Sequence, residues 1–251
     1  MEQTKLHKTI RSKTMKAIKT FDMIQDGDKI LIWISWWKDS MLLANLLCEL
    51  RDRSHLNFEV KWVYMNKKFL MRCDVDFTEQ QKFFDKIWLD MEYIEINLPE
   101  WSRLEDGIWI SCQWCSYARR ISMFKLCEKW WFNKIALWHH LDDGITTLFM
   151  NMIINRNATL MPPINKMKRW DLTIIRPMSF VREKDIMNLV LNEKIPYSGC
   201  TCPIWEKSKR KEIWNLMKII EATEPWSLEN MYHANIKKFI KEYENKWRIT
   251  D

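Results

Sequence analysis

The segment Lys29–Ile34 is an almost unbroken apolar run of strand length, and the helix pattern Met41–Leu47 follows it closely. A strand that is apolar towards both sides has to be covered on both sides, as a central strand of a parallel sheet is. The alternation then repeats, with strand patterns over Phe58–Met65, Tyr93–Leu98, Lys134–Trp138 and Leu172–Ile175. Helix patterns over Phe77–Leu89, Cys112–Lys129 and Asp143–Ile154 lie between them. This order predicts an α/β fold, a parallel five-stranded sheet with helices on both faces. The spacing of Ile10, Ala17, Ile18, Phe21 and Ile24 predicts an additional N-terminal helix, and Lys184–Leu191, Lys207–Ile220 and Leu228–Tyr243 read as further helices. The expected organisation is an N-terminal helix over 1–25, a sheet domain over 26–200 and a helical C-terminal extension over 201–251.

Forty Lys and Arg against 33 Asp and Glu leave a net charge of +7, which suits a polyanionic partner without naming one. No apolar run reaches 18 residues and the first residues are polar and basic, so no membrane span or secretory leader is expected and the cytoplasm is the expected compartment. Seven cysteines, an odd number, point to metal or catalytic thiols before a disulfide framework. Cys48 and Cys127 fall in apolar helix patterns and read as packing residues, whereas Cys73 lies in a polar loop and has no assigned role.

Glycine is scarce and tryptophan abundant. The chain has 4 Gly and 16 Trp, where average usage predicts roughly 18 glycines. Many tryptophans therefore read as positions meant for glycine. The place where this matters most is the end of the first strand, Ser35-Trp36-Trp37-Lys38-Asp39-Ser40. A strand-to-helix turn at the carboxyl edge of a parallel sheet binds phosphate through helix N-terminal amides. Such a loop needs residues that accept positive φ and let the backbone come close, and two adjacent indoles oppose both demands.

With glycine at positions 36 and 37 the loop reads S-G-G-K-D-S and resembles the signature of the PP-loop ATP pyrophosphatases. Further on, Trp138-His139-His140-Leu141-Asp142-Asp143 resembles the G-H-x-x-D-D motif of that superfamily, again with Trp for Gly. Cys112-Gln113-Trp114-Cys115 with Arg119-Arg120 is a third station. Thr147–Met152, Met161-Pro162-Pro163 and Ile175-Arg176-Pro177 follow in the order of the tRNA 2-thiocytidine synthetases of TtcA type. The resemblance runs from about Asp26 to about Lys211. The chain departs from the family at Trp33, Trp36, Trp37, Trp138, Trp205 and one of Trp130 and Trp131. One change of decoding accounts for all of them at once: UGA codons that mean glycine in the source, translated as tryptophan. Trp114 reads as genuine.

The resemblance implies an adenine nucleotide alpha hydrolase-like fold that binds ATP through Ser35, Trp36, Trp37, Lys38, Asp39, Ser40, Trp138 and His139. It implies ATP-dependent tRNA thiolation: C2 of an anticodon-loop cytidine is adenylated and its oxygen replaced by sulfur, giving 2-thiocytidine. Lys38, Asp39, Asp142, Asp143 and Arg119 are the implied catalytic residues, with Mg2+ on the aspartates. An implied [4Fe-4S] cluster is held by Cys112, Cys115 and Cys202, with Cys200 as the alternative third ligand. Cys202 is preferred because the stretch after it matches the family once Trp205 is read as glycine. tRNA, a sulfur donor such as a cysteine desulfurase, and a second copy in a homodimer are the expected partners.

Each motif alone has a plainer reading: CxxC as a zinc or redox pair, His139-His140 as structural residues, Asp142-Asp143 as N-terminal helix charge, and the basic runs Lys166, Lys168, Arg169 and Lys207–Lys211 as solvated faces. Their joint placement at the ends of successive strands favours one site. A 2-thiouridine synthetase of the same superfamily is the nearest alternative, but such relatives carry extra zinc modules, and this chain has no cysteine before Cys48 or after Cys202. A lysidine synthetase accounts for the loop and not for the cysteines. If the tryptophans are genuine, the chain is a catalytically dead tRNA-binding module.

Overall fold

The computed structural model describes residues 4–35, 37–66, 78–86, 91–95, 112–198 and 208–247. The elements in chain order are α1 (Lys5–Thr20), β1 (Lys29–Ile34), α2 (Lys38–Arg53), β2 (Glu59–Asn66), α3 (Thr78–Lys86), β3 (Met91–Glu95), α4 (Cys112–Trp130) and β4 (Lys134–Ala136). They continue with α5 (Leu141–Asn155), β5 (Ile164–Met167), β6 (Leu172–Ile175), α6 (Glu183–Asn192), α7 (Lys209–Thr223) and α8 (Ser227–Trp247).

All five expected strands are present and parallel, in the order β3-β2-β1-β4-β6, and a sixth, β5, pairs antiparallel with the edge of β6. β5 escaped the sequence reading because only Ile164 of its four residues is buried, so it has almost no apolar period to read. Central β1 shows why its sequence is continuously apolar. Ile30, Ile32 and Ile34 face a core shared with α1, α2 and α5 to α8, while Leu31 and Trp33 face a second core built with Phe124 and Cys127 of α4. The flanking helices belong to the same interior, since Ile10 and Ala17 of α1 and Ile213, Met217, Tyr232 and Ile236 of α7 and α8 join the larger core. Buried His7 ties α1 down from one ring, with Glu193 at 2.7 Å and Glu49 at 2.9 Å.

Two of the four glycines stand where a side chain is costly. Gly27 has φ +79, and a Cβ on Gly144 would stand 2.9 Å from the Tyr232 ring. A third such position is occupied by tryptophan. Trp131 has φ 60 just beyond α4. Phe132 N–H donates to the Cys127 carbonyl at 2.9 Å and Trp131 N–H to that of Glu128 at 3.5 Å, which is the Schellman pattern that favours glycine. Of the two candidates at the end of α4, the structure therefore singles out Trp131. Its indole is 85% exposed, whereas Trp130 packs against the second core and carries Lys61 Nζ 4.2 Å above its ring. Trp131→Gly is expected to stabilise the fold by about 1 kcal/mol, since an L-residue in the left-handed region costs roughly 1–2 kcal/mol and little burial is lost. Trp130→Gly is expected to destabilise it, and denaturant midpoints of the two variants decide the assignment.

Candidate active site

In the order β3-β2-β1-β4-β6-β5 the chain leaves β1 towards β2 and β3, then returns to place β4 on the other side of β1. The carboxyl ends of β1 and β4 therefore flank the topological switch point, where open α/β sheets bind ligands. The S-W-W-K-D-S loop leaves β1 there, and Trp138-His139-His140 leaves β4.

The loop is closed from within. The Ser35 N–H donates to Ser40 Oγ at 3.2 Å, and Ser40 Oγ donates to the Trp37 carbonyl at 2.9 Å. Trp37 is the N-cap of α2 at φ −76 and ψ 152, a conformation open to any residue. The expected need for positive φ therefore does not fall on Trp37, and only the bulk of its side chain opposes a phosphate; Trp36 lies outside the described residues. Lys38 and Asp39 open α2 and are buried. Lys38 Nζ stands 3.1 Å from the Asp39 carboxylate and 3.0 Å from Glu183 Oε1. Burial works against the Lys38 charge, but Asp39 and Glu183 outweigh it and raise its pKa. Burial raises the pKa of Asp39 against the pull of His140 and Lys38.

The second motif divides its two histidines by environment. Burial lowers the pKa of His139 to about 3, so it is neutral at pH 7, and its ring stacks on Trp138 with centroids 6.1 Å apart. His140 is also buried, yet Asp143, Asp142 and Asp39 surround it at 3.4, 3.5 and 4.0 Å and lift it to about 9. Burial would raise Asp143, but His140 and Arg210 hold it far below the carboxylate range. Arg210 Nη2 reaches Asp143 Oδ1 at 2.5 Å, and Asp143 Oδ2 accepts the His140 N–H at 3.1 Å, half of a capping box on α5. Asp142 accepts from Arg182 Nε at 3.0 Å and from the Glu183 N–H at 2.7 Å. Arg182 continues to Glu221 at 2.8 Å and to Glu229, joining α6 to α7 and α8.

The expected magnesium set does not fit this arrangement. Asp39, Asp142 and Asp143 are each matched by a cation, buried Lys38, buried Arg182 and half-buried Arg210, and among the described residues no group of three His, Cys, Asp or Glu is disposed to hold a metal ion. Arg210, expected to lie on a solvated basic face, is instead a site residue. Arg182, Glu183, Trp214 and Arg210 were missed because they lie about 40 or more residues from His-His-Leu-Asp-Asp, in or at the start of helices with no motif of their own.

Cys112 and Cys115 sit one turn apart at the start of α4. Cys200, Cys202, Trp205 and Cys73 lie outside the described residues. Two turns along α4, the Arg119 guanidinium lies 4.6 Å above the ring of Trp33, and Trp33 and Trp138 pack with centroids 4.5 Å apart. Two indoles therefore meet across the ends of β1 and β4. Cys48 and Cys127 are buried thiols that burial pushes up to about 12, as packing residues are. No helix among the described residues is long and apolar enough to cross a membrane.

A fold with a phosphate loop at the switch point is that of a PP-loop domain, and the PP-loop domain family ATP_bind_3 matches residues 6–201. The tRNA-cytidine(32) 2-sulfurtransferase of Hahella chejuensis is 32% identical over 93% of this chain and 82% of its own length. That of Alcanivorax borkumensis is 30% identical over 92% of the chain and 81% of its length. The chain belongs to this family of PP-loop tRNA-cytidine 2-sulfurtransferases. A U34-tRNA thiolase, NcsA of Methanococcus maripaludis, solved with its [4Fe-4S] cluster, shares the fold with a TM-score of 0.70 at 18% identity, covering 92% of this chain and 78% of that one.

Proposed function

We propose that the protein thiolates tRNA with ATP, converting an anticodon-loop cytidine to 2-thiocytidine. The observation that carries this reading is that α4, which starts with Cys112 and Cys115, packs Phe124 and Cys127 into one core with Leu31 of β1, the strand that delivers Lys38. Sulfur chemistry and phosphate chemistry thus share one crevice. Lys38 and the amides of the loop gather the ATP phosphates, with Ser35, Asp39, Ser40, His139 and positions 36, 37 and 138 lining the nucleotide. The C2 oxygen of cytidine attacks the α-phosphate and pyrophosphate leaves, so the charge that develops meets Lys38, Arg119 and His140. Asp39, Asp142 and Asp143 hold these cations in place, and Mg2+ arrives on the ATP phosphates.

Cys112, Cys115 and Cys202, or Cys200 in its place, would hold a [4Fe-4S] cluster, which would carry the donor's sulfur to C2 as AMP leaves with the former cytidine oxygen. A cysteine desulfurase is the proposed sulfur donor, a homodimer the proposed assembly, and the cytoplasm the proposed compartment. Residues 26–200 act as the ATP-binding body, with 1–25 and 201–251 flanking it. Cells lacking the gene are expected to lose 2-thiocytidine from digested tRNA and to recover it on complementation. An unchanged nucleoside profile would sink the reading.

A second reading has its own observation. The Trp33–Trp138 pair fills the switch point, so a protein that truly carries both indoles binds tRNA without ATP chemistry. UGG codons at positions 33, 36, 37 and 138 would select it, and UGA codons the enzyme.

A further inference from the structure

We propose that Glu183 is a positioning residue for Lys38, held to that task by the indole N–H of Trp214 on α7; this rests on Lys38 serving the ATP phosphates. Glu183 uses three of its polar groups. Its Oε1 accepts from Lys38 Nζ at 3.0 Å, its Oε2 accepts from Trp214 Nε1 at 3.1 Å, and its N–H donates to Asp142 Oδ2 at 2.7 Å. One residue at the start of α6 therefore joins the phosphate loop, the second motif and the C-terminal helix.

A structural ion pair explains less. Lys38 is only 7% exposed and already has Asp39 at 3.1 Å, so neutralising the ammonium does not call for a second carboxylate. Glu183 instead fixes the direction in which the ammonium points and keeps a negative charge beside the phosphate cradle. These two effects oppose each other. The charge repels phosphate in the ground state, while the fixed ammonium favours the transition state. Lys38 and His140 are the charged groups that act on Glu183, and Asp39 shares the Lys38 ammonium with it. The same helix α7 sends Arg210 to Asp143, so its placement bears on the second motif as well.

Two measurements test the role. On the chain as written, without ATP, labelling of lysines by a small amine-reactive ester is read by peptide mass spectrometry. Glu183→Gln and Trp214→Phe are each expected to speed Lys38 labelling at least about threefold, because the lysine loses the partner that keeps it protonated and fixed. Lys134, buried at 2.5 Å from Asp28, serves as the internal control. On the protein with glycine at positions 33, 36, 37 and 138, Glu183→Gln is expected to lower KM for ATP about threefold and kcat about tenfold, a pairing that partial unfolding does not produce. Unchanged Lys38 labelling, equal acceleration at Lys134, or a KM that rises as kcat falls would each overturn the proposal. If the glycine-bearing parent fails to bind ATP, the functional reading fails, and the labelling still decides the role of Glu183.

Discussion

The protein made with glycine at positions 33, 36, 37 and 138 binds ATP, and the chain with tryptophan at all four does not; a calorimetric difference of at least about 100-fold, or roughly 2.7 kcal/mol, is expected. Trp33 and Trp138 lie with centroids 4.5 Å apart across the ends of β1 and β4, in the crevice where a nucleotide has to enter. Clearing them means unpacking an aromatic pair from a core, and each such ring buries about 150–250 Å2. Trp37 adds bulk at the N-cap of α2, where the amides must face phosphate. In the glycine-bearing protein, Lys38→Ala is then expected to lower thiolation at least about 100-fold with the fold intact, since the ammonium acts on charge that develops at phosphate. Equal, tight ATP binding by both forms would remove the loop from the mechanism.

Anaerobically purified glycine-bearing protein shows sulfur-to-iron charge-transfer absorption that Cys112→Ala, Cys115→Ala or Cys202→Ala abolishes, and thiolation disappears with it. Cys112 and Cys115 start α4 one turn apart, and a cluster of this kind is held by thiolates. Loss of absorption on Cys200→Ala with retention on Cys202→Ala would move the third ligand. Zinc as the sole bound metal after anaerobic reconstitution would argue for a structural site.

The sequence by itself determined the sheet. The apolar run of β1 and the regular strand–helix alternation leave few ways to bury both faces, so the five parallel strands and the ends that bear motifs were legible. It also marked positions 33, 36, 37 and 138 as misfits, because a loop that should cradle phosphate carried indoles. Lys38, Asp39, His139, Asp142 and Asp143 were singled out by the resemblance of their two short segments to PP-loop motifs, which lie contiguous in the chain. Only the tertiary structure decided what those residues are bonded to. The neutral His139 beside the charged His140 follows from which carboxylates surround each ring, and no spacing along the chain encodes that. The same holds for Asp142, bound to Arg182 and to the Glu183 amide rather than left free for a metal. Trp131 was separated from Trp130 by a backbone dihedral, and β5 by pairing with its neighbour. Arg210, Trp214 and Glu183 entered the site because α6 and α7 pack over the carboxyl edge of the sheet, and packing brings together residues that sequence keeps 31 to 145 apart.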